Sequence, residues 1–420
     1  MANGDASASG KSVAIIGAGI IGASCALSLQ RAGFQVTMID KGDAGGGCTL
    51  GNSGSLGIAS IVPLATPGII KDVPKMLFDP LQPLSIRWAY LPWTLPWLIR
   101  YIRNSTVKRV EKIADSRDAL LKGLFEAYKP LIEASGAQDL IKHTGLLSVF
   151  ERDDGLAHAQ YGLNLRRNRG IRVEELSGDE VREREPAVGP TVKHGVLFPD
   201  VAYTVNPQRL AQTFAEHVVR NGGILKRATV TGFEKGPDGP SKVLTDAGAI
   251  EADLIVLAAG AWSKPLATEL GATVPLQAMR GYHSMMPNPG VTLNSIVTAS
   301  ERRVALTPME GGLRASGTAE FAGVDAAPNY DRADVLTRHA SGILPGLNVE
   351  GAKRWMGSRP AMVDSQPVIG RSPRYDNVLF AFGHDQIGIA LGGVTGKLIT
   401  ELATGQQPSI DLTPYRPDRF

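Results

Sequence analysis

Short apolar runs and an amphipathic segment alternate over the first 41 residues. Ser12-Val-Ala-Ile-Ile16 and Gln35-Val-Thr-Met-Ile39 are runs of β-formers with the length of buried strands. Between them, residues 20–32 repeat apolar positions at helical spacing, and Gly33 follows as a helix-terminating residue. The pattern therefore predicts a strand, a tight turn, a helix and a second strand within residues 11–41.

The rest of the chain mixes helical and strand-like patterns. Helical spacing is found in residues 84–135, 206–221 and about 393–404. Strand-like runs occupy residues 145–150, 254–260 and several stretches of 275–320, and residues 142–176 mix both patterns. Because antiparallel material interrupts an α/β pattern, we expect two interleaved domains.

Composition places the chain among globular proteins with a large core. Of its 420 residues, 43% are hydrophobic and 20% charged. The formal net charge of +3 is too small to predict nucleic-acid binding. Two cysteines, Cys25 and Cys48, exclude a disulfide scaffold, and the histidines show no metal-ligand spacing, so we expect no metal. The 48 glycines cluster in motifs, which indicates backbone lying close to a ligand.

Targeting and membrane signals are weak. Residues 1–10 lack the apolar core of a secretory signal, so we expect a disordered tail and a cytoplasmic location. The most lipophilic run, residues 88–99, is too short to span a bilayer and is broken by Pro92 and Pro96. Basic residues follow it directly: Arg100, Arg103, Lys108, Arg109 and Lys112. Two interpretations stay open, a helical segment packed on its own core and a peripheral contact with the inner face of a membrane.

The first predicted turn carries a dinucleotide signature. Gly17-Ala-Gly-Ile-Ile-Gly22 is a G-x-G-x-x-G between a strand and a helix. Its glycines allow a tight turn, a close approach of backbone to a pyrophosphate, and close helix–strand packing. Asp40 ends the second strand, where a carboxylate accepts hydrogen bonds from a ribose hydroxyl and disfavours a 2′-phosphate. NADP is therefore not expected, whereas NAD and FAD both fit this signature.

Two later segments favour FAD over NAD. The glycine cluster Gly45-Gly-Gly-Cys-Thr-Leu-Gly-Asn-Ser-Gly54 follows Asp40, where an NAD enzyme usually enters another βαβ unit. Flavoproteins instead thread a loop past the pyrophosphate and the flavin ring at this point. Asp253-Leu-Ile-Val-Leu-Ala-Ala-Gly-Ala-Trp-Ser263 predicts a further strand that meets the same cofactor.

These motifs resemble the FAD-dependent D-amino-acid oxidase superfamily, and within it the bacterial D-amino-acid dehydrogenase and D-hydroxyproline dehydrogenase branch. The most specific stretch is Trp355-Met-Gly-Ser-Arg-Pro360 with Asp364-Ser-Gln-Pro-Val-Ile-Gly370. Arg280-Gly-Tyr-His283 and Glu310-Gly-Gly-Leu-Arg-Ala-Ser-Gly-Thr318 add to the likeness, which extends from about residue 11 to about residue 405.

The resemblance implies an α/β fold in which a Rossmann-like FAD-binding domain is interleaved with an α+β substrate domain containing an antiparallel sheet. We expect residues 11–83, 190–265 and 354–405 to form the FAD-binding domain, and residues 84–189 and 266–353 the substrate domain. FAD is expected to be non-covalent, because neither cysteine lies in the C-terminal region where covalent attachment occurs in sarcosine oxidases.

The resemblance also assigns site residues. Arg359 maps onto the arginine that binds the substrate carboxylate, and a planar guanidinium forks onto a carboxylate in one orientation. Tyr282 is expected to bond the carboxylate or close the pocket, with a core aromatic as the alternative. His384 completes the catalytic set, although its residue type alone does not make it a base. The expected cofactor contacts are Gly17, Gly19, Ile20, Ile21, Gly22, Asp40, Lys41, Asn52, Ser53, Gly54, Val230, Ala259, Gly260, Trp262, Gly357, Arg359, Gly383, Asp385, Gln386, Ile387 and Gly388.

The implied reaction is oxidation of the C–N bond of a D-amino acid or D-proline derivative, by hydride transfer to the flavin. A small amino acid and a quinone or other electron acceptor are the expected partners. An oxidase that uses O₂ is the alternative, followed by a non-catalytic flavin-binding subunit and an NAD-dependent dehydrogenase. The turn Gly383-His-Asp-Gln-Ile-Gly388 departs from the Gly-His-Gly of the branch. Asp385 there fits either a cationic or hydroxylated substrate or a solvent-facing turn.

Overall fold

The computed structural model describes residues 10–69, 84–237 and 239–420, so the expected tail lies, except for Gly10, outside the described residues. The helices are α1 Ile20–Arg31, α2 Leu91–Arg103, α3 Val107–Leu121, α4 Leu124–Ser135, α5 Gly155–Arg167, α6 Gly178–Arg184, α7 Pro207–Arg220, α8 Ser263–Glu269, α9 Asp331–Ile343 and α10 Gly388–Ala403.

The strands are β1 Ser12–Ile16, β2 Gln35–Asp40, β3 Ser55–Leu56, β4 Leu84–Ile86, β5 Ile141–Lys142, β6 Leu146–Phe150, β7 Glu174–Ser177, β8 His194–Phe198, β9 Ala202–Thr204, β10 Ile224–Arg227, β11 Val230–Gly236, β12 Gly239–Thr245, β13 Gly248–Glu251, β14 Leu254–Leu257, β15 Leu276–Met286, β16 Ile296–Ala299, β17 Val304–Met309, β18 Gly312–Phe321, β19 Lys353–Met362, β20 Val368–Arg371 and β21 Val378–Phe382.

The strand–helix–strand unit predicted for residues 11–41 is confirmed and lies at the centre of a mainly parallel sheet. Within the described ranges this sheet has the order β10-β2-β1-β14-β21-β20, and only its last pair is antiparallel. Val13 and Ile15 of β1 enter the core formed with α1 and α10, whereas Ala14 and Ile16 enter the core beneath the small β11–β12–β13 sheet. Because both faces of β1 are covered, its side chains are apolar on both sides of the strand.

A second, mixed sheet carries the candidate substrate side of the molecule. Its order is β19-β15-β18-β17-β16-β6-β8-β7, with β4 paired to β18, and α9 packs on β15 and β18. β19 and β8 belong to this sheet, although the sequence-based boundaries place their residues in the FAD-binding domain. β19 lies in the mixed sheet because it pairs with β15 along its whole length, from Leu276↔Met362 to Met285↔Lys353. The chain therefore returns to the parallel sheet only after Met362.

The final helix begins five residues earlier than the pattern predicts, at Gly388 instead of about 393. Gly392 and Gly393 lie inside the helix. Their lack of a side chain lets α10 pack closely on α1 and α4. A Cβ at Gly396, one turn further on, would lie 2.7 Å from the carbonyl oxygen of Ser24 in α1. The glycines therefore set the distance between α10 and α1. No helix in the described ranges combines the length and the apolar composition needed to span a bilayer.

Substitution of Gly396 by alanine should destabilise the protein although alanine is the better helix former. The added methyl group would push α10 away from the α1 backbone, and we expect the free energy of unfolding to fall by about 1–3 kcal/mol. Gly123→Ala is the matched control, because a Cβ there meets only Val394 Cγ2 at 3.9 Å, and it should change stability by about 0.5 kcal/mol or less. Equal denaturant midpoints for the two variants would contradict this account of the helix contact.

Candidate active site

The glycine-rich turn between β1 and α1 has the geometry that a dinucleotide needs. Gly17 has φ +106°, and a Cβ there would lie 2.5 Å from the carbonyl oxygen of Ala258, the residue that follows β14. A Cβ at Gly22 would overlap the carbonyl oxygen of Gly17. Near Gly19 a Cβ would meet only Thr49 Oγ1, at 3.4 Å, so the turn stays open on its outer side. Gly17 and Gly22 are fixed by packing, and Gly19 leaves the backbone accessible.

The N-terminus of α1 lies at this opening. Its N-cap residue, Gly19, supplies no side-chain cap, and the first turn contains no acidic residue. The Ile20 N–H donates to Thr49 Oγ1 at 3.0 Å. Since the first four N–H groups of a helix lack intrahelical acceptors, the end of α1 suits an anionic group such as a pyrophosphate.

Asp40 is bonded by the backbone on both carboxylate oxygens. Oδ2 accepts from the Ala18 N–H at 2.7 Å, and Oδ1 accepts from the Gly42 N–H at 2.9 Å. The side chain therefore ties the end of β2 to the glycine turn, a role that the sequence argument did not anticipate. Each oxygen keeps a further lone pair, so the expected bonds to ribose hydroxyls stay compatible with this geometry.

Other expected cofactor residues lie at the same edge of the parallel sheet. Lys41 Nζ lies 3.9 Å from the ring centroid of Trp262, a cation–π contact between the ends of two strands. Ala259 and Gly260 come two and three residues after the end of β14, and a Cβ at Gly260 would meet nothing within 4 Å. Val230 begins β11, two residues beyond the Ala228 N–H that donates to the Asp40 carbonyl oxygen. The carboxyl ends of β1, β2 and β14 thus meet the open turn, the place where α/β sheets bind ligands.

Three predicted segments converge next to the start of α10. Asn52 Nδ2 donates to the Gln386 carbonyl oxygen at 3.2 Å, and the Gly54 N–H donates to Asn52 Oδ1 at 2.9 Å. The Asp385 N–H donates to the carbonyl oxygen of Pro360 at 3.1 Å. The Ser53 carbonyl oxygen accepts from Thr307 Oγ1 at 3.0 Å. These bonds bring residues 45–54, the 357–360 part of β19 and the 383–388 turn together beside the N-terminus of α10.

Arg359 of β19 reaches across β15 and is held by a bulge in β18, the next strand of the sheet. The register between β15 and β18 shifts between Arg280 and Tyr282, and Thr318 at this shift has φ +56°. The irregularity directs two carbonyl oxygens at the guanidinium: Thr318 accepts from Nη1 at 2.8 Å and Gly317 from Nη2 at 3.3 Å. A Cβ at Gly281 would overlap the guanidinium. Arg359 therefore lies flat across Gly281 with one N–H of each Nη bonded.

Tyr282 is not brought together with Arg359. Adjacent residues of a strand point to opposite faces, so Tyr282 projects away from the face on which Arg359 covers Gly281. Its hydroxyl donates to Glu320 Oε2 at 2.5 Å and accepts from the Asn329 N–H at 3.0 Å, and burial raises its pKa to about 12. The side chain belongs to the core between this sheet and α9. This placement matches the alternative of a core aromatic.

His384 and Asp385 are both buried in the turn before α10. His384 Nε2 forms a hydrogen bond with Thr395 Oγ1 at 2.9 Å, and burial lowers the pKa of His384 to about 3, so the ring is neutral at physiological pH. Asp385 is 7% exposed, which excludes a solvent-facing turn. Burial raises its pKa, opposed by Arg117 and then Arg359. Asp385 Oδ2 lies 3.9 Å from Arg117 Nη2, whereas Oδ1 has no hydrogen-bond partner.

Arg117 is a site residue that the sequence argument missed. Its side chain is fully buried and donates twice to the carbonyl oxygen of Ser365, at 3.1 and 2.8 Å. The sequence feature that could have identified Arg117 is its position on α3, where it shares a helical face with Val110, Ile113 and Ala114. A charged residue on an apolar face needs buried partners.

Trp355 belongs to the C-terminal motif, but the sequence did not predict it as a site residue. Its ring lies against Gly51 and Gly357, where a Cβ on either glycine would overlap it, and it stacks on His283 with 5.1 Å between ring centroids. Burial and then Arg314 lower the pKa of His283 to about 3. Arg314 Nη1 donates to the carbonyl oxygens of Leu50 and Asn52, so the mixed sheet fixes the second glycine cluster directly.

Asp40→Asn should destabilise the protein even without cofactor. The amide retains one acceptor oxygen and turns an NH₂ group toward a backbone N–H, so we expect a loss of about 1–3 kcal/mol in the free energy of unfolding. Denaturant unfolding of the apoprotein measures this separately from cofactor binding. Asp43→Asn in the same loop is the control, because Asp43 is exposed and its Oδ1 forms a surface ion pair with Arg227 Nη1 at 3.5 Å. Such an exposed pair contributes little to stability. An Asp40→Asn apoprotein as stable as the wild type would restrict Asp40 to cofactor binding.

Comparisons with known proteins find relatives along nearly the whole chain. A D-amino-acid oxidase of Bradyrhizobium diazoefficiens is 39% identical over 418 residues, which cover 98% of this chain and 99% of that protein. A D-amino acid dehydrogenase of Vibrio vulnificus is 27% identical over 413 residues, 96% of this chain and 99% of that protein. The crystal structure of glycine oxidase from Geobacillus kaustophilus has the same fold, with a TM-score of 0.75, 22% identity and coverage of 98% and 99%.

The family model described as DAO, FAD dependent oxidoreductase, matches residues 12–402. This match confirms the fold class and the FAD cofactor that the motifs predicted. Together with the 39% identity over nearly the whole chain, it shows that this protein belongs to the DAO family of FAD-dependent oxidoreductases.

Proposed function

We propose that the protein oxidises the C–N bond of a D-amino acid and that Arg359 binds the substrate carboxylate. The observation that carries this proposal is the way Arg359 is held. Thr318 and Gly317 accept one N–H from each Nη, and a guanidinium has five N–H groups, so an edge remains for a bidentate carboxylate. Since the guanidinium lies flat over Gly281, the carboxylate would be fixed in one plane.

The same geometry orients the α-carbon toward the cofactor site. The Pro360 carbonyl oxygen accepts from the Asp385 N–H, which ties the Arg359 strand to the turn before α10. A substrate held by Arg359 thus lies beside the expected flavin loop of residues 383–388. Bound FAD supplies a two-electron acceptor for the hydride that leaves the α-carbon. The substrate product is an imino acid, which water hydrolyses to a 2-oxo acid and ammonia, or which stays cyclic for a proline derivative.

The histidines of the site do not supply a base in this proposal. His384 is neutral and bonded to Thr395, and His283 is neutral and stacked on Trp355. Hydride transfer needs only a neutral substrate amine, which solvent can deprotonate before binding. We therefore assign His384 to fixing the 383–388 turn on α10, and Tyr282 to the packing of β15 on β18.

The stereochemistry and the acceptor are the finer parts of the proposal. The D configuration is supported by the names of the relatives at 39% and 27% identity, an oxidase and a dehydrogenase respectively. We propose a dehydrogenase that passes electrons to a quinone or another organic acceptor. The oxidase is the second candidate, and it is favoured by the 39% identical relative being named an oxidase.

The decisive experiment is anaerobic bleaching of the flavin absorbance near 450 nm by D-, L-, N-methyl and cyclic amino acids. We expect D-amino acids to bleach the flavin and their L enantiomers to leave it unchanged. Bleaching by L-amino acids alone, or by none of the panel, would overturn the proposal. In air with an added quinone as electron acceptor, substrate loss without an equal yield of hydrogen peroxide supports the dehydrogenase, and equal yields support the oxidase.

Gly281→Ala should impair substrate binding without removing the flavin. The new Cβ would displace the Arg359 guanidinium, and a misplacement near 1 Å lowers kcat/KM on the order of 100-fold. We expect this loss mainly in KM, with an unchanged flavin-to-protein ratio. Gly232→Ala in β11 is the control, because a Cβ there has its nearest contact at 3.5 Å, to Glu269. Wild-type KM in Gly281→Ala would count against the carboxylate role of Arg359.

A further inference from the structure

Helix α2 is apolar on the side that faces away from the protein. Trp93 is 75% exposed, and Leu95 and Ile99 are 46% and 44% exposed. Trp88, just before the helix, is 61% exposed. We refer to Trp88, Trp93, Leu95 and Ile99 as the α2 surface. Large apolar side chains are common singly on protein surfaces, but a cluster with two tryptophans within twelve residues marks an interaction surface.

The opposite side of α2 is firmly packed, so its orientation is fixed. Trp97 stacks on Tyr101 with 4.8 Å between ring centroids, and its Nε1–H donates to the Pro275 carbonyl oxygen at 2.9 Å. Asn104, at the C-terminal end, donates to the Val363 carbonyl oxygen at 3.0 Å. A helix anchored on one side gains nothing for its own packing from apolar residues on the other side.

The charge around the α2 surface has one sign. From residue 84 to residue 110 the chain contains five basic residues and no acidic residue. Arg100, Arg103, Lys108 and Arg109 are all exposed and follow the apolar residues directly. Exposed tryptophans beside exposed cations match the interfacial region of an anionic bilayer, where indole rings lie at the level of the headgroups.

We propose that the α2 surface docks the protein on an anionic lipid bilayer. The indole of Trp93 and the side chains of Leu95 and Ile99 enter the headgroup region, while Arg103, Lys108 and Arg109 bind lipid phosphates. Anionic lipid fits better than a second copy of the chain, because a two-fold contact would place the same basic residues opposite one another.

Docking in this orientation would place the lipid on the side of the mixed sheet that lies close to Arg359. Trp97 packs with Met279, Ala361 and Val363, so α2 rests on β15 and β19 close to Arg359. The thickness of one helix, about 10 Å, therefore separates this part of the sheet from the lipid. An acceptor dissolved in the bilayer would approach the flavin from that side. This last step rests on the proposed function, whereas the docking itself does not.

The test is co-sedimentation of the holoprotein with vesicles of phosphatidylcholine, alone or mixed with phosphatidylglycerol. We expect binding to the mixed vesicles that weakens with added salt, and little binding to phosphatidylcholine alone. Trp93→Ser/Leu95→Ser/Ile99→Ser should lower the partition coefficient about tenfold or more. Arg103→Glu/Lys108→Glu/Arg109→Glu should do the same by removing the charge attraction.

The matched control is Val219→Ser/Ile224→Ser/Leu225→Ser, which removes exposed apolar residues from α7 and β10 instead. It should bind like the wild type. A flavin spectrum and anaerobic bleaching equal to wild type show that each variant is folded, and they keep a failure of docking distinct from a failure of the proposed function. No binding by the wild type, equal loss in the control, or a dimer that the α2 variants dissociate would each overturn the proposal.

Discussion

The guanidinium of Arg359 rests on two carbonyl oxygens of β18, and much of the surrounding backbone is arranged around that contact. A regular strand would direct those carbonyls along its own ladder. The register shift at Thr318 and its positive φ turn them toward Arg359, and Gly281 removes the side chain that would occupy the same space. A non-glycine residue with positive φ costs on the order of 1 kcal/mol and persists only where neighbouring contacts hold it.

Two more residues with positive φ lie behind the same site. Ser365 and Asp385 have φ values of +56° and +50°, and both meet Arg117, one through its carbonyl oxygen and the other through its carboxylate. Their partner on α3 is thereby joined to the turn that begins α10. A buried ion pair of this kind contributes little net stability, since desolvation offsets the attraction. Its effect is on conformation, because removing either partner would leave an uncompensated charge inside the protein.

The sequence predicted the local fold around the glycine turn much better than the arrangement around Arg359. A glycine turn between a strand and a helix is a local pattern, so the sequence placed Gly17, Gly22 and Asp40 correctly relative to one another. The arrangement around Arg359 depends on register between distant strands. Alternation places Gly281 and Tyr282 on opposite faces, but only the register between β15 and β19 decides which of them faces Arg359. A bulge in β18 then decides which carbonyls meet the guanidinium. The start of α10 was predicted wrongly because Gly392 and Gly393 look like helix breakers in the sequence. In the structure they allow α10 to pack closely on helices that are distant in sequence.

The parallel sheet that meets the cofactor is assembled from three distant parts of the chain, residues 12–40, 224–257 and 368–382. During synthesis the first unit emerges with its turn and Asp40 already able to form, yet β21 and α10 are still missing. The cofactor edge of the sheet is completed only when the last tenth of the chain has left the ribosome. Pairing between such distant strands is slow to form. We therefore expect FAD to bind only after synthesis is nearly complete, and until then the apolar strands β1 and β14 lack the cover that β21 and α10 provide.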